Sequence, residues 1–382
     1  MNDSSQTAWV VEQASTLGFD LCGVVRAEKF PELDRTKEWL ARGYAGEMKY
    51  LSDERRTDPP IVMPRLRSVI VCALNYNSPA PRSVKAFPQE QSEPLGWISR
   101  YAWGQDYHEV LQQKLSRLAG RLPERFTEPF ETRVYADTGP LNERVLAKHA
   151  GLGWLGKNTL LLNAKLGSWF FLGVILTTLD LPPTLGPAEL PPRDLCGSCT
   201  QCLDACPTGA LVEPYVMDSR LCISYLTIEL RGSIPEKLRE PMGAHVFGCD
   251  ICQDVCPWNR RAPVTQAEEF QPRMFPAASQ TETLELVAPA TETDDQESLY
   301  LPRLEWLAGL DEAQFRTFFR GSPIKRTKWR GLVRNACIAL GNSAPALGSN
   351  QHERVCSLLK GLSASSEPAI AESAQWALSR IQ

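Results

Sequence analysis

No apolar run in this chain is long enough to cross a bilayer, and its beginning has no leader-like character. The longest uncharged stretch in an apolar region, LGSWFFLGVILTTL (Leu166–Leu179), has fourteen residues, against the roughly 20 that a spanning helix needs. The opening MNDSSQTAWVVEQASTLGFD has neither a basic n-region nor a twin arginine. A cytoplasmic protein that does not associate with membranes is therefore expected. Histidine is scarce, with four in 382 residues; His149 and His245 stand in no ligand motif and are expected to be structural. Charge of either sign is not in excess. The formal net charge of −4 makes no global case for nucleic acid, so any such case has to be local. The 43% hydrophobic content is ordinary for a soluble globular chain, and the length leaves room for two or three domains.

Cysteine is what the sequence has in quantity. Eight of its twelve cysteines fall between Cys196 and Cys256, in no pattern typical of a secreted disulfide scaffold. CGSCTQCLDACPTGAL (196–211) spaces four of them C-x2-C-x2-C-x3-C before a proline. In that spacing the fourth cysteine ligates a different [4Fe–4S] cluster from the first three. Downstream, CDICQDVCPWN supplies Cys249, Cys252 and Cys256, and RLCISYL supplies Cys222. The crossing rule then assigns Cys196, Cys199, Cys202 and Cys256 to one cluster, and Cys206, Cys222, Cys249 and Cys252 to the other. Zinc ribbons also use C-x2-C pairs, but three cysteines at that spacing followed by Cys-Pro favour iron–sulfur. Cys22, Cys72, Cys337 and Cys356, among apolar neighbours, are expected to be plain buried residues.

The fold class expected is α+β. Residues 1–185 read as an α/β-type unit, with helices at 5–17 and 142–151 and strands at 19–25, 67–76, 132–137 and 169–178. Residues 186–262 read as a ferredoxin-like segment for two clusters, and 263–304 as a polar, acidic linker or long loop. Residues 305–382 read as helical, with RNACIAL (334–340) and ESAQWAL (372–378) repeating an Ala-x-x-Ala-Leu pattern 38 residues apart, near the period of HEAT-like repeats.

The ordered motifs YADTGPLNER, AGLGWLGKNTLL, GSWFFLGVILTTLDL, CGSCTQCLDACPTGAL, RLCISYLTIEL and GCDICQDVCPWN resemble those of the epoxyqueuosine reductase family over residues 15–260. The resemblance implies a cobalamin-dependent enzyme. It would remove the epoxide oxygen from epoxyqueuosine at the wobble position of tRNA, the final step in making queuosine. Opening an epoxide reductively takes two electrons and a proton on the leaving oxygen, and cluster potentials reaching about −700 mV suit a donor to cobalamin. The resemblance makes residues 1–185 the cobalamin-binding catalytic part and Asp137 the proton donor, a role that requires its pKa to rise through burial. By itself, an Asp at this turn could equally bond the amides of Thr138 and Gly139. Asp106 is a second acidic candidate near the substrate, or a helix N-cap. Arg56, Asn158, Ser224 and Asp250, with backbone around Leu161 and Leu172, are implied to contact cobalamin together with Asp137. Ser99 stands where some relatives carry cysteine. Asp106-Tyr-His108-Glu-Val-Leu111 has leucine where the histidine-on motif needs glycine, so His108 is not expected to ligate cobalt.

Between Ala313 and His352 there is no Asp or Glu. Lys325, Arg326, Lys328, Arg330 and Arg334, interleaved with Trp329 and preceded by Phe315, Phe318 and Phe319, form a one-sign block of the kind that binds phosphates, here the tRNA stem. A solvated helix face normally mixes both signs. Two other readings remain open. A corrinoid reductive dehalogenase also joins a corrin to two cubanes, and a non-catalytic ferredoxin-type carrier would explain the cysteines but not residues 1–185. The partners expected are the tRNA and a low-potential electron donor, with the chain itself a monomer.

Overall fold

The computed structural model describes residues 4–87, 93–276 and 296–382. The chain forms two compact units, each assembled from separated segments. Met1–Pro79, Tyr107–Arg220 and Cys252–Ala267 make the first; Ala80–Asp106, Leu221–Ile251 and Glu268–Gln382 make the second. These units cut across the consecutive boundaries read from the sequence, because membership is decided by which core a segment enters. Trp97, Ile98 and Trp103, early in the chain, are fully buried in the same core as the C-terminal helices.

In the first unit, helix α1 (Ser4–Thr16), strand β1 (Leu21–Arg26), helix α2 (Pro31–Ala41) and strand β2 (Ser68–Asn75) precede helix α3 (Tyr107–Arg121). Strand β3 (Thr132–Tyr135), helix α4 (Glu143–His149) and strand β4 (Phe170–Thr177) follow. Among the described residues the strands form a four-stranded sheet in the order β1-β2-β4-β3. Every β2 residue is buried. One face, with Val69, Val71, Ala73, Val174 and Leu176, packs on Val145, Leu146 and Ala147 of α4. On the other, α3 crosses so closely at Gly173 that an added Cβ would lie 2.5 Å from Leu115. Continuous burial and alternating helices suggested an α/β-type unit, since such strands are usually parallel. The structure corrects this: β1 with β2, β2 with β4 and β3 with β4 are all antiparallel. Helices can cover both faces of an antiparallel sheet, and element order does not fix strand direction.

In the second unit, Trp97–Ile98 pairs in parallel with His245–Phe247. The same unit holds helices α5 (Ile223–Ile228), α6 (Leu304–Gly309), α7 (Glu312–Phe318), α8 (Lys328–Asn342), α9 (Asn350–Ser363) and α10 (Pro368–Ile381), of which α5 and α8 pack on the strand pair and α6 and α10 on α8. Helix α8 is buried from Gly331 through Gly341, as expected of a helix surrounded by others. The RNACIAL and ESAQWAL segments meet directly. Gly341 lets α8 approach α10 so closely that a Cβ there would sit 2.8 Å from Ala377 Cα. The expected linker is structured in its described part. Met274–Pro276 pairs antiparallel with Gln296–Ser298, and Phe275 and Leu299 enter the core. These apolar residues anchor a segment that otherwise reads as polar; residues 277–295 of that expectation lie outside the described residues. No helix of the described residues is long and apolar enough to cross a membrane.

Candidate functional site

The first cysteine set lies wholly in the first unit. Tight turns bring its members together: the Cys199 amide bonds to the Cys196 carbonyl (3.0 Å), and the Cys256 amide to the Gln253 carbonyl (3.1 Å). Lys157 Nζ staples the loop by donating to the Gly197 and Cys199 carbonyls (2.6 and 2.9 Å). Trp154, Leu162 and Cys256 form a small apolar cluster with Cys196 against it. The thiols act on one another. Burial, then the charges of Cys256 and Cys196, push Cys202 up to about 11. Burial likewise raises Cys256, with Cys196 and Cys199 adding to the effect. Such a donor set resists ionising alone and fits a polynuclear cationic core that thiolates would stabilise. Among the described residues no three Cys, His, Asp or Glu side chains are placed to share a single metal ion. Outside the set, Cys72, Cys337 and Cys356 are buried as expected, whereas Cys22 is only half-buried, 3.7 Å sulfur to sulfur from Cys72.

Asp137 leaves edge strand β3 in the left-handed region (φ 59°), which Asp tolerates better than most residues. It does not bond the following turn amides: Thr138 N–H goes to the Ala136 carbonyl. Its Oδ2 accepts from the Tyr107 hydroxyl (2.7 Å) and stands 3.4 Å from His108 Nε2. Tyr107 is held flat against Phe171 of β4, at 4.3 Å between ring centres. Desolvation pushes the Asp137 carboxyl up, but His108, Tyr107 and the Arg144 charge outweigh it, and the net direction is down. Although protein crowds the group, its side chain is 62% exposed, so water supports the ionised form as well. The raised pKa expected of Asp137 is therefore corrected: it rests ionised. The raised carboxyl is its neighbour. Glu143, at the start of α4, accepts the Asp137 amide hydrogen at Oε1 (2.9 Å). Burial and the Asp137 charge push it up to about 8, against the Asp137 amide, Arg56 and Arg144. Sequence reading missed Glu143; its spacing, six residues after Asp137 and one after the helix-capping Asn142, was the available signal.

Residues 195–259, which contain all eight clustered cysteines, match the family model of a 4Fe-4S double cluster binding domain, and residues 56–138 match that of Epoxyqueuosine reductase QueG, DUF1730. The chain is similar to the epoxyqueuosine reductase of Gloeobacter violaceus, 42% identical over 351 residues that cover 89% of this chain and 97% of that protein. The chain belongs to the epoxyqueuosine reductase family. The Escherichia coli epoxyqueuosine reductase is 37% identical over 344 residues, covering 89% of this chain and 82% of that protein. A solved epoxyqueuosine reductase with a tRNA-Tyr epoxyqueuosine-modified stem loop superposes with a TM-score of 0.81 at 29% identity, covering 99% of this chain and 91% of that one.

The other residues expected in a family member of this kind fall into two groups. In the first unit, Arg56 donates to the Tyr50 and Leu141 carbonyls (both 3.2 Å) and so ties down the Asp137 loop. Asn158 is buried, donating to the Cys252 carbonyl (3.4 Å) beside an expected cluster ligand. Leu161 is in the core and Leu172 of β4 is partly buried against it. His149 stacks on Phe30 and faces Glu32 (3.1 Å), a structural arrangement. In the second unit, Ser224 is half-buried in α5. Asp250 is fully buried and accepts from Trp97 Nε1, Ser99 Oγ and the Arg100 amide, so its carboxylate is spent inside the protein. Asp106 is 1% exposed, with Lys325 Nζ 2.7 Å away, and is not offered to solvent as a substrate-contacting acid would be.

The basic block is the largest departure from expectation. Arg334 is fully buried and faces no solvent. Its guanidinium donates to the Leu226, Leu230 and Gly232 carbonyls (2.7, 2.8 and 2.5 Å) and to Asn335 Oδ1. It is a structural clamp, which corrects its assignment to RNA. Phe315, Phe318 and Phe319 are core residues, and Trp329 donates its indole hydrogen to the Leu310 carbonyl. Carboxylates absent from the local sequence arrive from elsewhere. Asp106 meets Lys325, Glu229 meets Arg326, and Glu367 lies 3.4 Å from Arg330.

Proposed function

We propose that this protein reduces epoxyqueuosine to queuosine at the wobble position of tRNA, with cobalamin and two [4Fe–4S] clusters as cofactors. The observation that carries this reading is 42% identity along nearly the whole length of a known epoxyqueuosine reductase. The overall change converts an epoxide into an alkene and water, taking up two electrons and two protons. Cobalamin, when bound, supplies the low-potential reducing centre, fed by electrons that enter from a separate donor through the clusters. Cys196, Cys199, Cys202 and Cys256 would hold one cluster, and Cys206, Cys222, Cys249 and Cys252 the other. The partly exposed guanidinium of Arg56 and the ring bed of Tyr107 and Phe171 suit a flat ligand that carries amides and a phosphate, with Asn158 and the backbone near Leu161 and Leu172 in support.

The chain's own task at the reacting centre is proton delivery. Asp137 Oδ2, where the Tyr107 hydroxyl and His108 Nε2 converge, is the atom from which the leaving oxygen would be protonated. Because Asp137 rests ionised, it must first acquire a proton. Substrate covering the exposed carboxylate would act in the same direction as burial already does and raise its affinity for one.

The helices α8 to α10 are read as HEAT-like, with Lys325, Arg326, Lys328 and Arg330 against the tRNA backbone. Exposed ion pairs are worth about 0–1 kcal/mol, so phosphates can displace Glu229 from Arg326 or Glu367 from Arg330. Replacing Arg326, Lys328 and Arg330 together by alanine is expected to weaken stem-loop binding and flatten its salt dependence by up to about three phosphate contacts' worth. An unchanged salt slope in filter binding would remove these residues from the interface.

The deciding experiment is anaerobic turnover on epoxyqueuosine-tRNA with cobalamin and a strong reductant, reading queuosine by mass spectrometry. Product formation by protein containing about eight irons supports the reading; iron-replete, cobalamin-bound protein that leaves the epoxide intact overturns it. Cys256→Ser is expected to retain about half the iron and lose turnover, since it removes a ligand from one cluster only.

A further inference from the structure

Two carboxylates share the loop that carries the proposed proton donor, and only one has been given a task. Glu143 Oε1 receives the amide hydrogen of Asp137 (2.9 Å), just after β3, where the Asp137 backbone itself enters the left-handed region (φ 59°). The same loop is held further on by Arg56, through the Leu141 carbonyl (3.2 Å). We propose that Glu143 is a positioning residue for Asp137, gripping the loop by the Asp137 amide and setting the electrostatic state in which Asp137 works. This inference rests on the proposed epoxide reduction and deepens it.

The groups facing this pair are Arg56 from the turn before β2, Tyr107 and His108 from α3, and Arg144 from α4. Tyr107 and His108 address Asp137 and keep it ionised, whereas burial leaves Glu143 protonated up to about pH 8. Below that pH the pair therefore carries one negative charge and one proton. Above it two like charges lie side by side, and the loop is pushed apart at the bond that holds it.

The test uses the reconstituted holoenzyme and two variants. Glu143→Gln keeps an oxygen acceptor for the Asp137 amide but cannot ionise; Glu143→Leu removes the acceptor. Wild-type turnover is expected to fall as pH rises through about 8. Glu143→Gln should lose that alkaline fall, while Glu143→Leu should turn over roughly a hundredfold more slowly at every pH, the scale of a misplaced catalytic group. Hydrogen–deuterium exchange provides a readout independent of turnover. Residues 135–142 should exchange faster in Glu143→Leu than in wild type, with the helix α3 amides unchanged as a check on folding. Should wild type reduce no epoxide at all, the functional reading falls, yet the exchange comparison still decides the grip. Unchanged exchange in Glu143→Leu, or an alkaline fall that persists in Glu143→Gln, overturns the inference.

Discussion

Asp137→Asn protein is expected to retain its iron and bind cobalamin normally, yet turn over epoxyqueuosine-tRNA about 10²–10⁴-fold more slowly than wild type, the range that a positioned acid contributes. The asparagine preserves the side chain's shape, an oxygen that can accept from Tyr107, and the backbone amide that bonds to Glu143. What it removes is the ability to carry a proton. The loss should appear in kcat rather than in substrate affinity, because protonating the leaving oxygen matters only as the carbon–oxygen bond breaks. Asp137→Ala should lose as much, with some added loss of loop order. Iron content, the visible cluster spectrum and cobalamin uptake separate this result from damage to the cofactors. Turnover within a few-fold of wild type would take Asp137 out of the mechanism and shift attention to His108, whose Nε2 stands 3.4 Å from the same oxygen.

The second large effect concerns stability. Arg334→Ala is expected to destabilise the second unit by about 3–5 kcal/mol, because deleting a buried guanidinium leaves a cavity and several buried neutral acceptors without their donor. Three carbonyls around α5 and its following turn would lose their donor, and a buried unmet acceptor costs on the order of 1–3 kcal/mol. Arg334→Lys should recover only part, since one ammonium cannot reproduce a planar fork that serves several acceptors. Urea denaturation followed by circular dichroism would show the shift. The folded fraction should bind tRNA with an unaltered salt slope. A stable Arg334→Ala protein with weakened RNA binding would make Arg334 a phosphate contact rather than a structural clamp.

The cysteine chemistry was legible because ligand spacing is a local property: short turns between Cys196 and Cys206 and between Cys249 and Cys256 decide which thiols can converge. The strands were legible for a similar reason, since apolar runs such as 68–75 and 170–177 must be buried whatever their partners. Their direction was not, because antiparallel pairing depends on how distant segments return. The Asp137 site was half legible. Its position at a strand exit followed from YADTGP, but its charge state did not. Tyr107 and His108 come from thirty residues earlier, and together they reverse the shift that burial alone would produce. The basic block misled in the same way. Five cations without a nearby carboxylate in sequence became, in space, one buried clamp at Arg334 and three ion pairs with Asp106, Glu229 and Glu367.

By itself the sequence determined the metal chemistry, the family and the acidic residue at the end of β3, because each is encoded in contiguous motifs whose spacing suffices. Only the tertiary structure decided that Asp137 is shifted down and Glu143 up, and that Arg334 is buried. Protonation and burial depend on neighbours supplied by remote parts of the chain. Those neighbours are chosen by the packing of two cores rather than by adjacency along the backbone.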